Sequence, residues 1–451
     1  MPSEGLVVDL FAGGGGASMG IEAALGRDVD IAINHDPIAI AVHSANHPNT
    51  KHYTTDVWEV DPKEACGDRH VALLHASPDC KDFSRAKGGK PKSKKIRSLA
   101  WVVHKWAKAV RPDVITVENV AEFEEWGPLG DDDRRIDARK GETFKRWKRE
   151  LEHLGYVVDH RPMTASHYGA PTSRKRFFLI ARCDGKPIAW PERTHGPGLL
   201  PYRTAAECID WSLPCPSIFE RSRPLAENTL RRIAAGVVRF VLGANPYTVE
   251  TGGELVSPTL VQTGYGERPG QAPRALDLHQ PLGTVVATGQ KHGLVAAFLA
   301  KHYGGVVGQE LGKPLGTVTA VDHHSLVTSS LGHGNHAQEI FAFLTTYYGN
   351  GADVGQALGD PLRTVVTKDR FGLVTVKLDG VDHVVTDIGL RMLEPHELNR
   401  AQFGRFAKSY KASAARTKKD AVRLTGNSVC PELEEAIVAA NFPREIEQRA
   451  A

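Results

Sequence analysis

Residues 6–16 read Leu6-Val7-Val8-Asp9-Leu10-Phe11-Ala12-Gly13-Gly14-Gly15-Gly16, and the pattern Ala17 to Leu25 follows at helical spacing. A short apolar run, a glycine turn and a helix form the opening unit of an α/β sheet whose backbone approaches a nucleotide-like ligand. The spacing does not fit the Gly-x-Gly-x-x-Gly fingerprint of dinucleotide sites, because counting from Gly13 the third glycine position is Ser18. A turn that need not cradle a pyrophosphate suits S-adenosylmethionine better than a nicotinamide cofactor.

The same rhythm continues outward from this turn. Val29–Ile33, Val71–Leu74, Val114–Val117 and Phe177–Ala181 read as strands, and a helix is expected from about Ser98 to Ala109. The fold class expected is α/β: a doubly wound, mostly parallel sheet. In such sheets ligands bind beyond the carboxyl ends of the strands. The distinctive residues all follow strands: the glycines, Asn34 and Asp36, Asp56, Cys80 and Glu118. Asp36 and Asp56 are candidates for ribose hydroxyls or an adenine amine.

Cys80 lies in Ser77-Pro78-Asp79-Cys80-Lys81-Asp82-Phe83-Ser84, directly after the Val71–Leu74 run and its end. A free thiol is only a few per cent thiolate at neutral pH, so attack needs nearby positive charge. Lys81 and Arg85 supply it in sequence, while Asp79 and Asp82 oppose it. A lone cysteine is as readily a packing residue. Glu118, at a buried strand end, is expected to hold its proton more tightly than an exposed carboxylate and so to serve as an acid.

From about residue 190 the texture turns to Pro, Gly and short β-type runs. Pro281-Leu282-Gly283-Thr284-Val285-Val286, Pro314-Leu315-Gly316-Thr317-Val318-Thr319 and Pro361-Leu362-Arg363-Thr364-Val365-Val366 echo one another, each followed by a Leu-Val pair. Their unequal spacing argues against a solenoid. We expect a catalytic and cofactor-binding domain over residues 1–194, an irregular, mostly β domain over 195–385, and a segment 386–451 that returns to the first domain, with helical patterning from Leu390.

Composition narrows the classes. The chain has 451 residues, 41% of them hydrophobic, and a net charge of +3. That is enough for a large core plus a second domain, and the total charge says little about partners. Charge is local instead: Arg85, Lys87, Lys90, Lys92, Lys94, Lys95 and Arg97 crowd one stretch, and a second basic run spans Arg405 to Arg423. The six cysteines form no Cys-x-x-Cys pair, so neither a metal site nor a disulfide framework is expected. No apolar run approaches the roughly 18 residues of a membrane span. The N-terminus has no signal-peptide anatomy, and a cytoplasmic location is expected.

Together these residues resemble the DNA (cytosine-5)-methyltransferases. Asp9–Gly16 resembles the family's cofactor turn, Pro78-x-Cys80 with Phe83-Ser84 its nucleophile loop, and Glu118-Asn119-Val120 its Glu-Asn-Val motif. Tyr168-Gly169-Ala170-Pro171-Thr172-Ser173-Arg174-Lys175-Arg176 is similar to its Tyr-Gly-x-Pro-Gln-x-Arg-x-Arg segment. Arg391-Met392-Leu393-x-Pro395-x-Glu397 and Gly426-Asn427-Ser428-Val429 resemble the motifs after the recognition domain.

The resemblance implies that the sheet is of the S-adenosylmethionine-dependent methyltransferase type, and it implies methyl transfer from S-adenosylmethionine to carbon 5 of a flipped-out cytosine in double-stranded DNA. It makes Cys80 the nucleophile at carbon 6 and Glu118 the group at ring nitrogen 3. Arg174 would orient Glu118, and Arg176 would meet the cytosine carbonyl. Cofactor contacts are implied for Phe11, Ala12, Gly13, Gly15, Gly16, Asn34, His35, Asp36, Asp56, Pro78, Asn427 and Val429. Ser84, Arg85, Lys87, Lys90 and Arg97 are implied DNA contacts. The 195–385 domain would recognise the target, with Arg274, Lys291, His292, His323, His324, Lys368 and Arg370 near its turns as candidate base readers.

A cognate restriction endonuclease is an expected companion if the enzyme is not solitary, and a monomer is the expected state. Three departures stand out: Asp79 where the family has Pro, Asn34 where it has Glu, and Thr172 where it has Gln. They leave open a catalytically weak, S-adenosylmethionine-binding DNA-binding protein, and the same chemistry on RNA is a third reading.

Overall fold

Val, Ile and Leu fill the short runs of the first sheet, as expected for parallel strands covered on both faces. The computed structural model describes residues 5–79, 98–130, 136–263, 267, 268, 270–287, 289–301, 336, 340, 343, 344, 374–378 and 381–443. Among them two units separate. The first holds those of Met1–Cys208, Pro281–Gly289 and Pro395–Ala451, and the second those of Ile209–Gln280 and Gln290–Glu394.

The first unit begins β1 (Leu6–Leu10), α1 (Gly16–Leu25), β2 (Ile31–Ile33), α2 (Pro37–Asn46), β3 (Lys51–Tyr53), α3 (Pro62–Cys66) and β4 (Val71–Ala76). It continues α4 (Val102–Val110), β5 (Val114–Asn119), α5 (Glu142–His153), β6 (Val157–Thr164) and β7 (Lys175–Arg182). The sheet order is β3-β2-β1-β4-β5-β7-β6. The first five strands run parallel, while β7 is antiparallel to both β5 and β6. One face buries Leu6, Val8, Leu10, Ile115 and Val117 against Trp106 of α4 and Trp147 of α5. The other buries Val7, Leu73, Val114 and Ile180 against Ile21 of α1 and, from the last described helix, Leu433 and Ile437. The sheet is therefore doubly wound, as the alternating pattern indicated.

The second unit contains α6 (Glu227–Gly236), β8 (Val249–Thr251), β9 (Glu254–Gln262), β10 (Ala275–Leu276), β11 (His292–Lys301), β12 (Thr375–Leu378) and β13 (Val381–Met392). Its strands form a separate antiparallel sheet in the order β10-β9-β11-β13-β12, with β8 on β9. Ile233, Val237 and Val241 pack with Val295, Val385 and Ile388 in its core. The helix departs from the irregular strand-and-turn reading, and its apolar positions Leu230, Ile233, Ala234 and Val237 recur at helical spacing. Leu390, expected to begin helical structure, is still in β13; the helix starts at Pro395.

The chain returns to the first unit as α7 (Pro395–Phe403), α8 (Lys418–Asn427) and α9 (Pro431–Asn441). The unit edges fall at Cys208/Ile209 and Glu394/Pro395, later than the expected 194/195 and 385/386. The Pro281–Val286 motif, expected in the recognition domain, also groups with the first unit. Leu282 donates its N–H to Pro171 O at 3.0 Å, and its carbonyl accepts from Ser173 N at 2.8 Å. The other two copies of the motif lie outside the described residues.

The packing of α1 on α9 is close. A Cβ on Gly20 would overlap the Pro431 carbonyl oxygen and lie 2.9 Å from Glu435 N. Beneath these helices a polar row crosses the sheet in register: Asp9 on β1, His75 on β4 and Thr116 on β5. Glu434 of α9 completes it, with Oε1 3.0 Å from His75 Nδ1 and 3.0 Å from the donating Thr116 hydroxyl. All four are buried. Burial pushes the His75 imidazole down, but Glu434, with Asp9 and Glu118 behind it, outweighs burial and carries it up to about 9. Burial pushes the Asp9 carboxyl up to about 6, against the pull of His75 and the Ser18 hydroxyl.

Two outcomes follow from this packing. A helix-interior Gly→Ala change gains about 0.5–1 kcal/mol by propensity, whereas overpacking costs about 1–3 kcal/mol. Gly20→Ala is therefore expected to lower stability in urea unfolding, and a raised midpoint would show room between α1 and α9.

For His75, the folded value of about 9 exceeds the ordinary 6.5. Its stabilisation is complete below about pH 6.5 and fades as pH rises through about 9. Asp9, also raised, contributes in acid and loses that contribution by about pH 6, so the later decline belongs to His75. Wild-type stability should fall by about 1–3 kcal/mol across the later window. In Glu434→Gln that slope should largely vanish from a lower starting stability; an undiminished slope would assign it to other groups.

Candidate functional site

The glycine turn is built from left-handed backbone. Phe11, Gly13 and Gly15 have φ of 63°, 52° and 96°. For Phe11, which carries a Cβ, this costs of order 1–3 kcal/mol, the kind of strain held at ligand sites. Ala12 is buried and donates its N–H to Ile33 O at 3.1 Å, tying the turn to the end of β2. The glycines divide by surroundings. A Cβ on Gly13 would meet only Phe11 O at 3.8 Å. On Gly14 it would press on the Tyr410 hydroxyl, on Gly15 on His47 Nε2, and on Gly16 on Ser428 and Val429. Gly15 and Gly16 thus let neighbouring chain pack against the turn, while Gly13 faces open space. Helix α1 starts with no side-chain cap and no acid in its first turn.

At the end of β2, Asn34 Oδ1 accepts from Asp36 N at 2.9 Å and His35 is exposed. Asp36, expected at the ribose, caps α2 by accepting from Ile38 N at 2.9 Å and pairs with Arg423 of α8. Burial would lift the Asp36 carboxyl, but the bonds from Arg423 and Ile38 outweigh it and hold it below the usual range. Its carboxylate is therefore already engaged. Asp56 Oδ1 accepts from Trp58 N at 3.1 Å and shapes the turn after β3. Of the C-terminal pair, Asn427 is exposed and Val429 is buried beside Gly16.

Sheet register brings the catalytic candidates together. Glu118, near the end of β5, pairs with Phe178 of β7. Period-2 alternation then sets Arg176 on the same face as Phe178, with Arg174 just before the strand. Arg176 Nε lies 3.3 Å and Arg174 Nη2 3.8 Å from Glu118 Oε1. That oxygen is buried and makes no hydrogen bond. Arg174 is itself buried and donates through Nη1 to Gly426 O at 3.1 Å and to Val285 O at 3.3 Å. Asn119 Nδ2 donates to Pro78 O at 3.1 Å, fixing the loop that runs into Cys80 to the strand carrying Glu118. The arrangement is a carboxyl group held between two guanidinium groups beside an anchored loop.

Cys80 and the DNA candidates Ser84, Arg85, Lys87, Lys90 and Arg97 lie outside the described residues, as do His323, His324, Lys368 and Arg370. Of the base-reading candidates within them, Arg274 and Lys291 are half-buried. His292 is 1% exposed within the second unit's sheet, and burial pushes its imidazole down to about 4. It is a core residue there rather than a base reader.

Sequence reading passed over a group of imidazoles under the turn. His43 on α2 and His47, the residue that follows its end, are four apart, a spacing that could have signalled them. His43 Nε2 is 3.1 Å from Ser18 Oγ and its Nδ1 is 2.8 Å from His52 Nε2. Burial, helped by His47 and His52, pushes His43 well below the ordinary imidazole value. No helix among the described residues is long and apolar enough to cross a membrane.

Residues 6–195 match the sequence model of the C-5 cytosine-specific DNA methylases. Type II methyltransferase M.AgeI of Thalassovita gelatinovora is 28% identical over 194 residues, 42% of this chain and 42% of that protein. Type II methylase M.HgiDII of Herpetosiphon aurantiacus is 30% identical over 214 residues, 46% of this chain and 54% of that one. The chain thus spans about half the length of these curated relatives. Among solved structures, a mutant of Spodoptera frugiperda DNMT2 aligns with TM-score 0.51 at 14% identity, covering 97% of this chain and 100% of that one. The Dnmt2 methyltransferase of S. pombe aligns with TM-score 0.50 at 15% identity, covering 97% of each chain. At such identity the structures share the fold alone. The likeness to the C-5 cytosine-specific DNA methylases is thus carried by residues 6–195.

Proposed function

We propose that this protein is a sequence-specific DNA methyltransferase acting on carbon 5 of cytosine. The observation that carries this reading is Glu118, its buried oxygen without a hydrogen bond, flanked by Arg174 and Arg176 beside the Asn119-anchored loop leading to Cys80. The turn fits S-adenosylmethionine: Gly13 opens onto space, and the first N–H groups of α1 have no side-chain cap to compete with a carboxylate. Phe11, Ala12, Gly13 and Asn34 would hold the donor, which when bound supplies an electrophilic methyl group.

The remaining work falls to the chain's own residues. The Cys80 thiolate adds to carbon 6 of the cytosine and ends the ring's aromaticity. Glu118 engages ring nitrogen 3 and stabilises the charge that addition moves there. Arg174 holds Glu118 in place, and Arg176 is available to the ring carbonyl. Carbon 5 becomes nucleophilic and accepts the methyl group. Loss of the carbon-5 proton then expels Cys80 and restores the ring. The base must leave the duplex, at a cost of a few kcal/mol. The basic stretch Arg85–Arg97 is suited to offset this on phosphates. The second unit would carry target recognition, and the names of the relatives suggest a restriction-modification setting with a cognate endonuclease.

DNA containing 5-fluorocytosine tests the chemistry, because fluorine at carbon 5 cannot leave as a proton does. A covalent protein–DNA adduct is expected only with S-adenosylmethionine present, and Cys80→Ser should abolish it. Glu118→Gln should slow methylation by about 10²–10⁴-fold, the range for losing a general acid. An adduct that survives Cys80→Ser would overturn the mechanism.

A further inference from the structure

His47 follows α2, and its ring is buried directly under the glycine turn, 1% exposed. Its Nδ1 lies 2.9 Å from each carboxylate oxygen of Glu22 on α1. Its Nε2 lies 3.2 Å from the carbonyl oxygen of Gly15. Both neighbours are acceptors. A neutral imidazole has one N–H and would turn a lone pair on either the carboxylate or the carbonyl. Only the doubly protonated ring donates to both.

The surroundings fix this bridge. Glu22 is held by the Val29 N–H at 3.2 Å. Gly15 O also accepts the first helical bond of α1, from Met19 N at 2.9 Å. A Cβ on Gly15 would lie 2.5 Å from Nε2, so ring and turn are in direct contact. The other titratable groups around the ring are His43 on α2, with ring centroids 4.4 Å apart, His52 on β3 beyond it, and Asp9 on β1. His43 reaches His52 directly and Asp9 through the Ser18 hydroxyl. The carboxylate that touches His47 is that of Glu22.

We propose that His47, set between Glu22 and the Gly15 carbonyl, is a positioning residue that holds the glycine turn in its donor-binding shape. The inference rests on the methyltransferase reading above. Without the ring, the carbonyl of Gly15 would lose the contact that holds it from below and keep the Met19 N–H. The peptide after Gly15 leads into the uncapped N–H groups of α1, so its freedom is felt where a donor carboxylate would bind.

The test is calorimetric binding of S-adenosylhomocysteine, the demethylated donor, to the full chain. His47→Ala should weaken affinity by about five- to tenfold, the worth of one hydrogen bond. His47→Gln, whose amide can still donate to the Gly15 carbonyl, should recover most of that loss; thermal melts of both variants separate a lost turn from a lost fold. Wild-type affinity in His47→Ala, or a His47→Gln variant no better than His47→Ala, would overturn the proposal while leaving the donor reading intact. Failure of the wild type to bind would overturn the donor reading itself.

Discussion

The buried guanidinium of Arg174 is the constraint on which the first unit depends. A cation withdrawn from water is tolerated only where fixed acceptors replace its hydration. Arg174 finds them on three segments far apart in the chain: the carboxylate of Glu118, the carbonyl of Val285 and the carbonyl of Gly426. Removing any one would leave a buried charge short of partners. The return of residues 281–289 to this unit is therefore part of the site's construction. Leu282 pairs with Pro171 and Ser173 on either side of Thr172, and a Cβ on Gly426 would collide with Val286 and Ala287. Glu118 is held by the same side chain that stitches these segments together.

The opposite ends of the chain meet under the same logic. His75 and Thr116, bonded to each other across an apolar sheet face, gain the Glu434 carboxylate when α9 docks, while Asp9 beside them is held by Ser18. Buried polar networks are costly when incomplete and rigid when complete. Gly20 lets α1 and α9 approach closely enough for Glu434 to reach. The first sheet is thus complete only when the last described helix has docked.

Much of this was legible in the sequence. Apolar runs marked the parallel strands, the glycines marked the turn after β1, and Glu118 was placed at the end of β5. What could not be read was the work done by partners distant in sequence. Asp36 reads as a ribose ligand until Arg423 and the α2 N-terminus take its carboxylate. The Pro281–Val286 repeat reads as recognition-domain texture until its backbone pairs with residues 171–173. His292 reads as turn polarity until the second sheet buries it. Local pattern reports propensity and period; it does not report which distant group satisfies a given charge.

The departure at Asn34 gains meaning from these partners. A carboxylate there would offer acceptors to a ribose diol. Asn34 instead spends its side-chain oxygen on the Asp36 N–H, so its amide nitrogen is what remains to offer, a donor in place of acceptors. Asp36 cannot readily substitute, because leaving Arg423 and Ile38 would uncap α2 at a cost of about 1 kcal/mol and separate an ion pair. On the proposed donor reading, recognition of the nucleoside at this strand end would be correspondingly thin. The weight of donor binding would then move to the glycine turn, where Phe11 holds a strained backbone and the Gly15 carbonyl lies against the His47 ring. A turn that had to supply most of the affinity would gain from a brace, and the buried imidazole against Gly15 is placed to be one.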